Sequence, residues 1–168
     1  MINAFDFEGA RSLLPRALRA ARAIARLKQR ARRAGVPVIY VNDNFGRWRS
    51  DFRSVIAHVM ESPGKPIAEL LHPDDEDYFV LKPKHSGFQH TSLSVLLSHL
   101  GTRTLVLTGV AAEFCVLFTA HDAYMREYRL VVPRDCIASE RPAYERYALA
   151  HMRDVTKADT RASARIRF

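Results

Sequence analysis

No apolar run in this 168-residue chain approaches the roughly 20 residues needed to cross a bilayer, so no membrane span is expected. Cysteine is scarce. Two residues, Cys115 and Cys136, cannot build a disulfide framework. The opening MINAFDFEGA has neither the basic segment nor the apolar core of a secretion signal, which points to a reducing, cytoplasmic setting. Also missing are G-x-G-x-x-G and G-x-x-x-x-G-K-[ST], which argues against dinucleotide and nucleoside-triphosphate binding. The seven histidines show no His-x-His spacing, and there is no C-x-x-C, so no metal site and no cofactor are expected. Neither repeats nor low-complexity linkers interrupt the chain, which reads as one domain over residues 1–168.

What is present is an ordinary globular balance, 48% hydrophobic and 26% charged, with a net charge of +8. Much of the positive charge lies in RALRAARAIARLKQRARRAG. Leu13, Ala17, Ala20, Ile24, Leu27, Ala31 and Ala34 recur there at three- and four-residue steps, while arginines follow the same steps displaced around the axis. That pattern is an amphipathic helix with a solvated basic face. No aromatic residues are interleaved for base stacking, so nucleic acid is not the expected partner.

Further on, VPVIYV (36–41), YFVLK (78–82), TLVLTG (104–109) and RLVVP (129–133) read as buried strands. Helical patterns alternate with them. The first is capped at Ser12 and stopped at Gly35, and one begins near Asp51. Another lies in TSLSVLLSHLG, one runs from Cys115 to about Tyr128, and the last spans 141–153; ASARIRF is expected to close the chain as a strand. Alternating apolar strands and helices predict a three-layer α/β/α domain, a parallel sheet of five to six strands with helices on both faces. Ligands in such sheets sit beyond the carboxyl ends of the strands, which singles out residues 42–48, 82–88 and 109–115.

Cys115 follows a strand and opens a helix, where the helix N-terminus favours a thiolate and free N–H groups could receive an oxyanion. A lone cysteine in such a place more often packs as a small hydrophobe. Lys82 ends the preceding strand, and an ammonium there must reach solvent or find a partner. Beside a cysteine it would stabilise the thiolate. His85 and Ser86 lack the G-x-S-x-G elbow of serine hydrolases.

VIYVNDNFG, VLKPKHSGFQHTSL and LVLTGVAAEFCVLFTAHDAYMREYRLVVPRDCIAS resemble, in order and spacing, the landmarks of the isochorismatase-like cysteine hydrolases. The most specific pieces are K-x-x-x-S-x-F from Lys82 to Phe88 and G-V-A-x-x-x-C-V from Gly109 to Val116. The resemblance implies an Asp–Lys–Cys triad that cleaves a C–N or similar bond of a small molecule through an acyl-enzyme, with Cys115 as nucleophile and Lys82 as the triad lysine. It also implies a non-proline cis peptide at Val110–Ala111 and an oxyanion hole from the N–H groups of Ala111 and Cys115. A homo-oligomer, dimer or tetramer, is the implied assembly.

The start of the chain departs from the family pattern. Relatives begin with an apolar strand ending in the triad aspartate, and MINAF matches only the residues after that aspartate. Asp6 lies beyond the motif and is read as a surface or turn residue. The strand and its Asp are therefore expected before Met1, the start having been placed at an internal methionine. Without that strand, its two neighbours would keep unpaired backbone groups along a groove through the core. NDNFGRW carries Asp43 without a histidine partner, which argues against a zinc-dependent nicotinamidase. By position, Phe5, Phe7, Asn42, Asn44, Trp48 and Phe88 are candidate substrate-pocket residues, although Trp48 and Phe88 fit a core equally well. The alternative to an enzyme is a scaffold that keeps Cys115 but acts by binding.

Overall fold

The computed structural model describes residues 1–48 and 51–168. Helix α1 spans Ala10–Arg33 and buries Leu13, Ala17, Ala20, Ala21, Leu27 and Ala31. Its small alanines let the helix approach the sheet closely. Its cap is Gly9, three residues before the expected Ser12, and the φ of 86° there suits glycine. A Cβ there would also meet the Glu140 carboxylate at 2.5 Å, so position 9 tolerates little else.

Strand β1 (Ile39–Asp43) precedes α2 (Phe52–Met60) and α3 (Lys65–Leu70). Asp51 caps α2 by accepting a 2.7 Å hydrogen bond from the Ser54 N–H. Next come β2 (Tyr78–Lys82), α4 (Leu93–His99), β3 (Thr104–Val106) and β4 (Gly109–Val110). A single π-helical turn, Ala112–Val116, leads into α5 (Leu117–Met125). Strands β5 (Arg129–Val131) and β6 (Ile137–Ala138) and helix α6 (Pro142–Asp154) complete the domain. ASARIRF is not the expected strand. Its 163–165 segment is a 3-10 turn, held by the Asp135 carboxylate, which accepts from the Ser163 N–H and hydroxyl. TLVLTG, expected as one strand, divides into β3 and β4, which belong to separate pairs, and the short strand β6 is one that no sequence pattern indicates.

Among the described residues all strand pairing is parallel, but the sheet is not continuous. It consists of three pairs, β1–β2, β3–β5 and β4–β6. Helices cover both faces in the three-layer arrangement. One core joins α1, α2 and α3, with Ile2, Val59 and Ile67 nearly solvent-free. The other joins α4, α5 and α6, around Leu97, Ala120, Val132 and Met152.

Between β1 and β3 lies a cavity of about 320 Å³. It is bordered by every residue from Val36 to Asp43 on one side and from Thr104 to Val110 on the other. In a parallel pair, alternate residues direct their backbone groups to the partner. The bonds Tyr78 N–H to Val38 O and Asn44 N–H to Lys82 O turn the even-numbered residues of β1 toward β2. Ile39 and Val41 therefore turn theirs toward the cavity. By the same logic, Arg129 N–H to Arg103 O and Leu107 N–H to Val131 O leave Thr104 and Val106 facing it from the other side. Leu27, Leu71 and Leu97 line it from the helical layers. The sheet is thus open between β1 and β3.

Candidate active site

The site forms where β1, β2 and β4 end together. Parallel pairing sets Asp43 directly opposite Lys82 in the β1–β2 register, and both side chains turn to the same side of the ladder. Lys82, 3% exposed, donates to Asp43 Oδ2 across 2.5 Å and to Cys115 Sγ across 3.4 Å. The third side closes with Cys115 Sγ 3.7 Å from the same carboxylate oxygen. A buried ammonium needs a counter-charge, and Asp43 supplies it. The Met1 α-amino group is buried beside this trio. Burial pushes its pKa down to about 6, against the pull of Cys115 and Asp43 and with the repulsion of Lys82.

Cys115 sits in the π turn, two residues before α5. The wider turn carries it on the inner side while its neighbour Phe114 stands half exposed. The Thr119 hydroxyl donates to the Cys115 carbonyl across 2.6 Å and accepts the Gly87 N–H across 2.9 Å. One side chain thus ties the nucleophile's turn to the loop after β2. Ser86 of that loop donates to the Asp122 carboxylate, fixing the loop to α5. Val110–Ala111 is a cis peptide. The Ala111 N–H makes no backbone hydrogen bond among the described residues.

The two cysteines differ sharply. Cys136 is fully buried between α1 and the C-terminal segment, and burial, then the neighbouring Asp135 charge, pushes its thiol up to about 12. Cys115 is half-buried and lines the cavity.

The structure does not bring all the candidate pocket residues together. Asn42 is buried and lines the cavity. Asn44 is buried and spends its side chain on the Gly46 N–H, shaping the turn after β1. Phe5 and Phe7 stack at 6.3 Å, Phe5 buried and Phe7 partly open. Phe88 belongs to the core between α4 and α5, under Tyr128 and the Arg126 guanidinium, and does not line the cavity. Trp48 is 79% exposed, in neither core nor cavity. Among the described residues no cluster of three or more His, Cys, Asp or Glu could hold a metal ion.

The residue that sequence reasoning weighed only as a metal ligand is Asp43. The available signal was its place at the end of an apolar strand, equivalent to that of Lys82 on the next one.

The chain is similar to several known proteins. An uncharacterized isochorismatase family protein of Bacillus subtilis, YaaI, is 41% identical over 159 residues, which cover 95% of this chain and 88% of that protein. A ureidoacrylate amidohydrolase of Methylorubrum extorquens is 42% identical over 69 residues, a segment spanning 41% of this chain and 28% of that enzyme. Among solved structures, the N-carbamoylsarcosine amidase of Thermoplasma acidophilum superposes with a TM-score of 0.74 at 28% identity, over 92% of this chain and 88% of its own. Residues 1–162 match the isochorismatase domain. The chain belongs to the isochorismatase family.

Proposed function

We propose that the chain is a cysteine hydrolase that cleaves a carbon–nitrogen bond, amide or ureido, of a small molecule. The observation that carries this reading is the mutual contact of Cys115, Lys82 and Asp43 at the carboxyl ends of three strands. Relatives named as amidohydrolase and amidase support the bond type.

In this reading Asp43 accepts the thiol proton and Lys82 steadies the thiolate as its sulfur attacks the substrate carbonyl. The Ala111 and Cys115 N–H groups take the oxyanion. Collapse breaks the C–N bond, and the proton held by Asp43 passes to the leaving nitrogen. Water, deprotonated by the same carboxylate, then cleaves the thioester and restores the thiol. The family pattern has its base at an aspartate that ends a strand ahead of the stretch matched by MINAF. Asp43 is the carboxylate within reach of Sγ among the described residues.

A panel of small amides and ureido compounds tests the reading. Turnover of one or more, abolished by Cys115→Ala and accompanied by a mass shift on Cys115 under acid quench, is expected. Turnover that survives Cys115→Ala would refute it. Asp43→Asn, made in this chain and in one extended before Met1, separates the two candidate bases. Loss in both assigns the role to Asp43, and loss in this chain alone assigns it to the added segment.

A further inference from the structure

We propose that Glu113 is a positioning residue. Through the Ser139 hydroxyl it fixes the backbone of the π turn, and so the direction of the N–H groups that receive the oxyanion. This role rests on the cysteine-hydrolase reading, in which Glu113 otherwise has no part.

Of the five residues of the turn, Ala112–Val116, only Glu113 and Cys115 carry polar side chains. Cys115 meets Lys82 and Asp43. Glu113 instead accepts a 2.5 Å hydrogen bond from the hydroxyl of Ser139, a residue with no solvent exposure. A buried hydroxyl needs a partner, and a charged acceptor makes the stronger bond. Strands β4 and β6 pair Gly109 with Ile137 and Val110 with Ala138. The next residue along each strand is Ala111 on one and Ser139 on the other. Ser139 therefore leaves the sheet where Ala111 does, and its hydroxyl holds the turn two residues further on.

Ser139 is itself held. Its carbonyl accepts from Arg16 Nε of α1 across 3.0 Å, and Arg16 Nη2 donates to Glu145 Oε2 of α6 across 3.0 Å. The series Glu145, Arg16, Ser139, Glu113 carries the position of two helices into the turn. It does so independently of the Thr119 hydroxyl, which ties the same turn to the loop after β2. Bound to Ser139, the carboxylate is also kept from turning toward the oxyanion, whose charge it would repel.

Two labels of Cys115 separate backbone direction from thiol reactivity. Iodoacetamide needs only the thiolate, which displaces iodide. In p-nitrophenyl acetate the thiolate attacks a carbonyl, an oxyanion forms, p-nitrophenolate leaves, and the sulfur keeps the acetyl group as a thioester. In Glu113→Ala, acylation should fall about ten- to hundredfold while alkylation stays within about twofold of the parent. Glu113→Gln keeps an acceptor for Ser139 and should recover most of the acylation rate, with the parent's pH profile, because the carboxylate moves no proton. Ser139→Ala should behave as Glu113→Ala does, and decides in the same way if Glu113→Ala does not fold. Acylation at the parent rate in Glu113→Ala or Ser139→Ala overturns the proposal. So does a loss of alkylation equal to that of acylation, or a Glu113→Gln as slow as Glu113→Ala. Neither label depends on amide turnover, so a silent amide panel beside this pattern would refute the substrate reading and leave the positioning role standing.

Discussion

Replacing Lys82 with Met and, separately, Asp43 with Asn should move the reactivity of Cys115 in opposite directions. Lys82 Nζ lies 3.4 Å from Sγ and Asp43 Oδ2 lies 3.7 Å from it. At an effective dielectric constant of about 20, a thiolate is attracted to the ammonium by ~5 kcal/mol and repelled by the carboxylate by ~4.5 kcal/mol. The two act in opposite senses on a thiolate. Lys82→Met leaves the repulsion unopposed. The Asp43 side chain is 29% exposed and partly screened by solvent, which reduces the effect to about 1.4 to 2.8 kcal/mol, a ten- to hundredfold slower reaction.

The assay is the rate of iodoacetamide labelling at neutral pH, resolved by peptide mass. Cys136, fully buried and with its thiol pushed up to about 12, should stay unlabelled and serves as the internal reference. Lys82→Met should label Cys115 ten- to hundredfold more slowly than the parent chain. Asp43→Asn should label it faster, yet lose turnover, because the charge that opposes the thiolate is also the proton acceptor. Labelling that slows in Asp43→Asn, or stays unchanged in Lys82→Met, would refute the electrostatic account of this site.

The split sheet makes a prediction for hydrogen exchange. The amides of Tyr40 and Leu105, bonded to β2 and β5, should exchange slowly, while those of Val41 and Val106, turned to the cavity, should exchange much faster. If a strand before Met1 belongs in that cavity, extending the chain there should protect Val41 and Val106; fast exchange in the extended chain would exclude it. At Gly64 an added Cβ would stand 1.9 Å from the Asn3 carbonyl oxygen, a backbone atom that cannot step aside. Gly64→Ala should therefore cost about 2 kcal/mol or more, lowering Tm by roughly 5 °C or more and exposing residues 1–5 to protease; an unchanged melt would mean the N-terminal segment does not pack there. His121 titrates below its usual range, because of burial and then the facing His151, against the pull of Asp122. A base held neutral by the fold loses stability as pH falls through its unfolded value of about 6.5, so Tm should decline below that pH, and less steeply in His121→Gln. Equal slopes would place the titration elsewhere.

How legible each part of this molecule is in its sequence depends on the range over which that part is determined. The helices and the β2 strand show in local periodicity, because one buried face fixes an amphipathic pattern. Cys115 and Lys82 show in local motifs. The ring of contacts that unites them with Asp43 does not, since it depends on the register of β1 against β2. That register is fixed by apolar residues of both strands and by the helices over them. The isolated strand β6 is hidden for a similar reason: two residues, Ile137 and Ala138, carry no period, and only pairing with β4 makes them a strand.

The same distinction explains why Phe88 and Trp48 resist assignment. Position after a strand brings a residue near the site, but the direction of its side chain is set by what lies beneath the loop. Phe88 turns inward because the Ser86 hydroxyl holds its N–H and the Arg126 guanidinium covers its ring. Among the described residues Trp48 has no such anchor, and it is 79% exposed. Reaction at this site thus depends on a register and a loop clamp as much as on the cysteine. Thr119→Val, which removes the hydroxyl joining Cys115 to Gly87, should then lower kcat while leaving Cys115 and Lys82 in place; a kcat equal to the parent's would show that the clamp does not position the nucleophile.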